Sequence, residues 1–456
     1  MIDPGSFRDP SGHIIHKERK VFRIINYLYK DHYDHLLNSG LYDKLIKEGL
    51  LITHEEVENS NIKDKQYKTL EVKKIPFISY PYEWSFSQLK DALLLTLKIQ
   101  KICIDYNMTL KDATPFNIQF LDNKPIFIDT LSFEVIKNEN YTWKPYKQFC
   151  EMFLGTICLI RYVDPGLNKL LINNINGIPL SLINKLLPFK KKLNLSIFTH
   201  LVIPNIINRN LSSPKKSYNT SKISKSKHLN ILNQIEDFIL KMKSPDFESE
   251  WANYNEETIS EKQEYFNDKL NTIKSFLENK NYNLTWDIGS NDGYFSRVIA
   301  NDISKNVISF DIDWRCVDRN YLKNKEQGIK NVFPLILDLS NPTPSIGWLN
   351  QERSSVFKRF GNPDLITCFA VIHHIINAGI PLEIFIQFLS KSTKDILIEY
   401  VPLSDPKCQI IFESRGEDFI YPTQKEFEQT INNKFKMISQ KKLDETNRYL
   451  YLIRKK

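Results

Sequence analysis

No CxxC pair occurs in these 456 residues, and the six cysteines (Cys103, Cys150, Cys158, Cys316, Cys368, Cys408) are scattered. That argues against a disulfide framework and a cysteine-based zinc site, and it fits a reducing cytoplasm. No apolar run is long enough to cross a bilayer; the longest, around Ala92–Ile104 and Phe153–Ile160, are short or interrupted. The start, MIDPGSFRDPSG, lacks a basic region followed by an apolar one, so no signal peptide is expected. Internal repeats are absent too. What is present, 41% hydrophobic and 25% charged residues, is the composition of a soluble globular protein with no membrane insertion, and the length suffices for two or three domains.

Acidic residues are missing from one stretch. Between Lys190 and Lys227 there are nine Lys or Arg and no Asp or Glu, in a chain whose net charge is +8. The remainder is close to neutral, so no specific nucleic-acid binding is expected. Within the stretch, Ser212–Lys227 (SSPKKSYNTSKISKSK) holds too few large apolar groups to offset its own ordering. It reads as a solvated linker, with contact to phosphates or an acidic surface as the alternative. The expected layout is therefore an α+β domain over residues 1–211, a Lys/Ser-rich linker over 212–228, and a further domain over 229–456.

In the first half, Gly12–Ile25 (GHIIHKERKVFRII) predicts two strands around a polar turn. Asn26–Gly49 has helical spacing of Tyr27, Tyr33, Leu36, Leu37, Leu41 and Leu45, broken at Ser39-Gly40. Ser85–Asn107 predicts one long helix, capped by Ser85 or Ser87. Strands at Ile118–Leu121 and Ile126–Asp129 flank the turn Asp122-Asn123-Lys124, and helices dominate from Trp143 to Leu187.

After the linker, strands and helices alternate. Strands are expected at Leu284–Ile288, Val307–Asp311, Val332–Leu337, Leu365–Ala370 and Ile396–Tyr400, which argues for a parallel sheet covered on both faces. Lys436–Ser439 and Tyr449–Ile453 are expected to add an antiparallel hairpin at its edge. The strongest motif is Trp286–Phe295, WDIGSNDGYF, a Gly-containing turn from strand to helix. Gly289 and Gly293 permit a sharp turn and close approach of a ligand, and the helix that follows offers free N–H groups. It is not GxGxxG, which weakens a dinucleotide reading. The next strand ends in Asp311, where a carboxylate can accept hydrogen bonds from both ribose hydroxyls. Asp338 ends the third strand, and the fourth runs into His373-His374. Polar groups thus fall at four successive strand ends, where open α/β sheets bind ligands.

The segments WDIGSNDGYF, ISFDID, LILDLS and FAVIHHI resemble the successive motifs of class I S-adenosylmethionine-dependent methyltransferases. SFRDPSG, YPYEW, LKDATPFNIQF, IDTLSFE, NPTPSIGW and Glu352-Arg353 extend the match over nearly the whole chain, to a two-domain methyltransferase family that includes host-specific nodulation proteins. The resemblance implies a Rossmann-like C-terminal domain with a mostly parallel seven-stranded sheet. It implies that Asp287, Gly289, Ser290, Asn291 and Gly293 surround the methionine part of S-adenosylmethionine, that Asp311 holds the ribose, and that Asp338 and Leu339 lie beside the adenine. Simpler roles stand beside these: Gly293 relieving crowding at a helix start, Asp338 capping a helix, Asp313 merely solvated. His373 and His374 are the candidate general bases, or else close the strand and orient its surroundings. Glu399 and Tyr400 are candidates to line the acceptor pocket. The Asn-Pro-Pro-Tyr signature of amino-group DNA methylation is absent after the fourth strand, which leaves oxygen acceptors open.

In the N-terminal half, Asp112 and Asn117 in KDATPFNI, followed by Asp129 in IFIDTLSF, resemble the catalytic loop and metal-binding Asp of protein-kinase-like phosphotransferases. An Asp can orient an acceptor hydroxyl, and an Asn with a second Asp can hold Mg²⁺ on triphosphate oxygens. The departures are substantial: no Gly-rich loop, Arg23 in place of the strand lysine, and Leu110-Lys111 where His-Arg would stand. The leading expectation is a cytoplasmic enzyme that methylates a small-molecule or glycan acceptor held by the N-terminal domain, with no metal at the methyl-transfer site. The alternatives are a bifunctional kinase-methyltransferase using Mg-ATP on a polysaccharide, and a cofactor-binding scaffold without turnover. The sequence does not fix an oligomeric state.

Overall fold

The computed structural model describes residues 2–58, 65–211, 222–249, 251, 263–413 and 420–456. The chain forms two compact units, Met1–Phe247 with Pro344–Ser355, and Glu248–Thr343 with Val356–Lys456.

The first unit begins with an antiparallel sheet of β1 (Gly12–Lys17), β2 (Lys20–Asn26), β3 (His54–Val57) and β4 (Gln66–Val72) in the order β1-β2-β4-β3. Between β2 and β3 lie helices Lys30–Asn38 and Leu41–Lys47, separated at Gly40, whose φ of +80° suits glycine. The buried face of the first meets the sheet around Ile25, Tyr29, Tyr33 and Leu70. Helix Phe86–Asp105 starts at a reciprocal cap between Ser85 and Gln88 and buries Leu89, Leu93, Leu97 and Ile104. Two small antiparallel pairs follow: β5 (Met108–Leu110) with β8 (Phe133–Val135), and β6 (Ile118–Leu121) with β7 (Lys124–Phe127). Asp122 and Asn123, both at positive φ, make the turn between β6 and β7.

The second unit is built on a seven-stranded sheet: β9 (Thr285–Ile288), β10 (Val307–Asp311), β11 (Val332–Ile336), β12 (Leu365–Cys368), β13 (Asp395–Tyr400), β14 (Phe435–Lys442) and β15 (Tyr449–Lys455). The order is β11-β10-β9-β12-β13-β15-β14, with β9 to β13 parallel and β15 antiparallel to both β13 and β14. β9 is central. The chain winds outward from it on one side through β10 and β11, then returns to its other side at β12. That reversal opens a crevice at the carboxyl ends of β9, β10 and β12. The strand expected to run to Ala370 stops at Cys368 because Ala370 has φ +54°, which breaks the extended backbone.

Two segments fall in a different unit from the one expected. Helix Lys225–Lys241, read as the start of the C-terminal domain, belongs to the first unit. It buries His228, Leu232, Ile235 and Ile239, and Lys101–Glu236 at 2.5 Å ties it to helix Phe86–Asp105. Residues 212–221, most of the expected linker, lie outside the described residues. Pro344–Ser355, between β11 and β12 in sequence, also folds with the first unit. There buried Glu352 receives Arg8 through two hydrogen bonds of 2.6 and 2.8 Å, and the Arg353 guanidinium lies 4.5 Å from the Phe116 ring centre.

Candidate functional site

The crevice of the second unit holds a cavity of about 310 Å³, within the size range of small-molecule sites. Asp287, Gly289, Ser290 and Asn291 line it, as do Asp311, Asp338 and Leu339 from the next two strand ends and His373 and His374 after β12. Gly293 does not. It caps helix Tyr294–Asp302 at φ +75°, and a Cβ there would meet the Asn320 side chain at 2.2 Å. Crowding at a helix start therefore explains Gly293. Gly289 is similar in kind: a Cβ would lie 2.4 Å from Val371 Cγ2, so close packing of the loop on Val371 also requires glycine there.

Asp287 is buried at the end of β9, where Ser296 Oγ and Thr367 Oγ1 donate to it at 2.5 and 2.7 Å. Burial pushes its pKa up to about 6, with those two hydroxyls opposing. Asp311 takes one backbone N–H on each carboxylate oxygen, from Asn291 at 2.7 Å and Asp313 at 2.9 Å. Burial raises its pKa to about 6 also. Each of its oxygens retains a lone pair for a further donor. Asp338 receives the Ser340 N–H at 2.8 Å in a local turn rather than capping a helix. Asp313, expected to be solvated, caps helix Trp314–Glu326 and accepts from Ser249 Oγ at 2.7 Å and from Trp251 N at 3.3 Å. The same segment is held by Asn291 Nδ2 on Trp251 O at 2.8 Å, and the Trp251 ring meets His374 edge-on at 5.0 Å.

His373 and His374 sit on helix Ile372–Asn377, their rings 4.3 Å apart. His373 is 4% exposed, and among the described residues its buried Nδ1 has no hydrogen-bond partner. Burial first, then the neighbouring His374 and Arg448, hold its pKa well below the usual imidazole value. Burial lowers His374 to about 4. Both rings are thus neutral near pH 7.

Sequence reasoning missed the cationic wall of the cavity, Lys269, Lys407 and Arg448, together with Tyr265 and Trp251. Glu399, read as a pocket residue, lies behind that wall. It is fully buried and accepts from Lys269 Nζ at 2.6 Å and Tyr265 OH at 2.8 Å, with Arg448 Nη1 at 3.5 Å. Burial raises its pKa, but the Lys269 and Arg448 charges bring the net shift below the usual value. Arg448 Nε also pairs with Asp405 at 2.8 Å. Tyr400 is buried with its hydroxyl on Pro422 O and does not line the cavity either. The one available signal was Lys269, which occupies a buried position on helix Gln263–Phe276 where the periodicity calls for an apolar residue.

In the first unit, Asn117 and Asp129 converge on one hydroxyl: Asn117 Nδ2 donates to Ser132 Oγ at 3.0 Å, and Ser132 Oγ donates to Asp129 Oδ2 at 2.5 Å. Asp129 is also ion-paired with Arg23, whose Nη2 donates to Ile128 O at 3.1 Å. Asp112 lies in the field of Asp129, and burial together with that charge raises its pKa to about 6. Among the described residues, no group of three or more His, Cys, Asp or Glu is placed to hold a metal ion, and no helix is long and apolar enough to cross a membrane.

No family model matches the sequence. The chain is 28% identical over 459 residues to the nodulation protein NoeA of Rhizobium meliloti (strain 1021), covering 98% of this chain and 94% of that protein. Among solved structures, it is similar to the N-methyltransferase NodS of Bradyrhizobium japonicum WM9, at 10% identity and TM-score 0.32 over 42% of this chain and 96% of that one. An S-adenosylmethionine-dependent methyltransferase from Clostridium acetobutylicum ATCC 824 matches at 14% identity and TM-score 0.32, over 44% and 96%. The bifunctional kinase-methyltransferase WbdD matches at 13% identity and TM-score 0.30, over 43% and 39%. In its motifs, in the strand order of its second unit and in its match to a nodulation protein over nearly its whole length, the chain resembles class I S-adenosylmethionine-dependent methyltransferases of the nodulation-protein type.

Proposed function

We propose that the chain transfers a methyl group from S-adenosylmethionine to an oxygen of a small-molecule or glycan acceptor. The observation that carries this reading is His373, a buried, neutral imidazole in the cavity wall whose Nδ1 has no partner among the described residues. The cofactor fits the groups present. Asp311 retains two acceptor sites for the ribose hydroxyls, Leu339 offers an apolar edge for the adenine, and Asp338 stands beside it. When bound, S-adenosylmethionine supplies an electrophilic methyl on a sulfonium. The chain's own residues then have three tasks. Asp311 and the Gly289–Asn291 loop fix orientation. Phe295, Phe369 and Trp251 exclude water. His373 Nδ1 would take the acceptor's hydroxyl proton as the acceptor oxygen displaces sulfur from the methyl carbon, the methyl–sulfur bond breaking with its electron pair left on sulfur.

His373→Ala should lower transfer of labelled methyl into a small-molecule extract by about 10²- to 10⁴-fold, the usual contribution of a positioned base, with cofactor affinity little changed. Full transfer by that variant would remove His373 from the chemistry.

A second reading, phosphotransfer by the first unit, is favoured by the convergence of Asn117 and Asp129 on Ser132 with Asp112 nearby. It requires Arg23 to release Asp129 to a metal. Calorimetric titration with Mg-ATP tests it: binding that is lost in Asp129→Asn supports it, and absence of binding removes it.

A further inference from the structure

Among the exposed apolar side chains described in the first unit, the largest group close together in sequence lies between Phe189 and Ile207 and carries its own charge pattern. Helical turns Leu195–Ile197, Phe198–Val202 and Ile203–Leu211 follow one another without a break, the middle one widened to a π turn. One face is locked inward. Ile197, Leu201 and Asn205 are buried at intervals of four, Tyr146 OH meets His200 Nδ1 at 2.5 Å, and Asn184 Nδ2 donates to Leu201 O at 2.7 Å. The outward face carries Leu195, Phe198, Ile203 and Ile206, with Leu195 79% exposed. The preceding turn adds Phe189 at 73% and Leu193 at 67%. A water-soluble helix ordinarily sets polar groups on that side.

Charge supplies the second half of the pattern. Lys190, Lys191 and Lys192 sit among these side chains, and no acidic residue occurs between Lys190 and Lys227. Apolar groups beside lysines, with no acid within the stretch itself, match an interface of acyl chains below anionic headgroups. An apolar face awaiting a second copy of the chain would gain nothing from a one-sign flank, since two such flanks repel.

We propose that Phe189–Ile207 is a peripheral docking surface for an anionic lipid bilayer. The apolar side chains enter the headgroup region and the lysines meet lipid phosphates, with no segment crossing the membrane. The proposal is independent of the methyl-transfer reading.

The test is co-sedimentation of the full chain with vesicles of phosphatidylcholine alone and with vesicles containing phosphatidylglycerol. Binding to the second kind only is expected. Lys190→Gln/Lys191→Gln/Lys192→Gln should weaken it on the order of 100-fold, from the contribution of each lysine near an anionic surface. Phe189→Ser/Leu195→Ser, at exposed positions that leave the fold intact, should weaken it on the order of tenfold or more. No binding to either vesicle, or equal binding to both, overturns the proposal. So does a concentration-dependent dimer in light scattering that Phe189→Ser/Leu195→Ser abolishes, because the face would then be covered by a second copy.

Discussion

Two sets of polar residues, one in each unit, look equally chemical on paper and differ in what their lone pairs face. At the strand ends of the second unit, Asp311 gives each backbone N–H one oxygen and keeps acceptor capacity on a cavity, and the buried His373 Nδ1 has no partner among the described residues. In the first unit, Asp129 is bound by Arg23 and by Ser132, and Asn117 spends its amide on the same Ser132. The right residues in the right order make a site only where the fold leaves their bonding capacity unsatisfied. The first set keeps bonding capacity open to a ligand, whereas Asp129 and Asn117 spend theirs on Arg23 and Ser132.

Removing one member of each set should separate those roles. Asp129→Ala strands the mostly buried Arg23 charge and should cost about 3–5 kcal/mol of stability in denaturant unfolding, with S-adenosylmethionine affinity unaltered in the folded fraction. A loss near zero would mean that Arg23 and Asp129 are free to serve a ligand, and would undo the contrast. Asp311→Ala should do the reverse, weakening cofactor binding by about 1–3 kcal/mol through unpaired ribose hydroxyls. Calorimetry returning the wild-type affinity would show that the ribose lies elsewhere.

Protonation gives a finer distinction. Burial raises Asp287 and Asp311 above the ordinary carboxylate range to about 6. Acids raised in this way favour the folded state most when protonated. Their contribution is therefore complete below about pH 4 and is lost as pH rises through 6. The melting temperature of the ligand-free chain should carry that downward component. Cofactor affinity should run the other way, weakening as pH falls below 6, because protonated Asp311 loses acceptor capacity. An affinity flat from pH 7 to 5 would separate Asp311 from the ligand. The smallest expected effect is Asp313→Ala: loss of a helix cap, about 1 kcal/mol in thermal unfolding, together with a looser Ser249–Trp251 segment read by Trp251 fluorescence.

Much of this architecture was legible in the sequence, because local rules and tertiary packing agree there. Ser85 caps a helix whose apolar face is periodic, Gly40 breaks a helix pair, and strands β9 to β13 are short, mostly apolar runs. What was not legible depends on partners far along the chain. Helix Lys225–Lys241 has a clear apolar stripe, but a stripe does not say which core it covers. Pro344–Ser355 lies inside the run of methyltransferase motifs, and contacts with distant residues, Arg8 on Glu352 and Phe116 against Arg353, reveal the unit it folds with. The Lys269–Glu399–Arg448 cluster is assembled from a helix, a strand end and a turn, so no spacing announces it. Gly293 shows the converse: its motif position suggests a ligand, whereas its surroundings require glycine for the Asn320 side chain.

The central claim, that the strand-end cavity of the second unit is a cofactor site, is tested most directly by isothermal titration of the full chain with S-adenosylmethionine at neutral pH. Saturable binding of one molecule per chain is the predicted result. A chain that is folded by circular dichroism and takes up no S-adenosylmethionine would contradict the account.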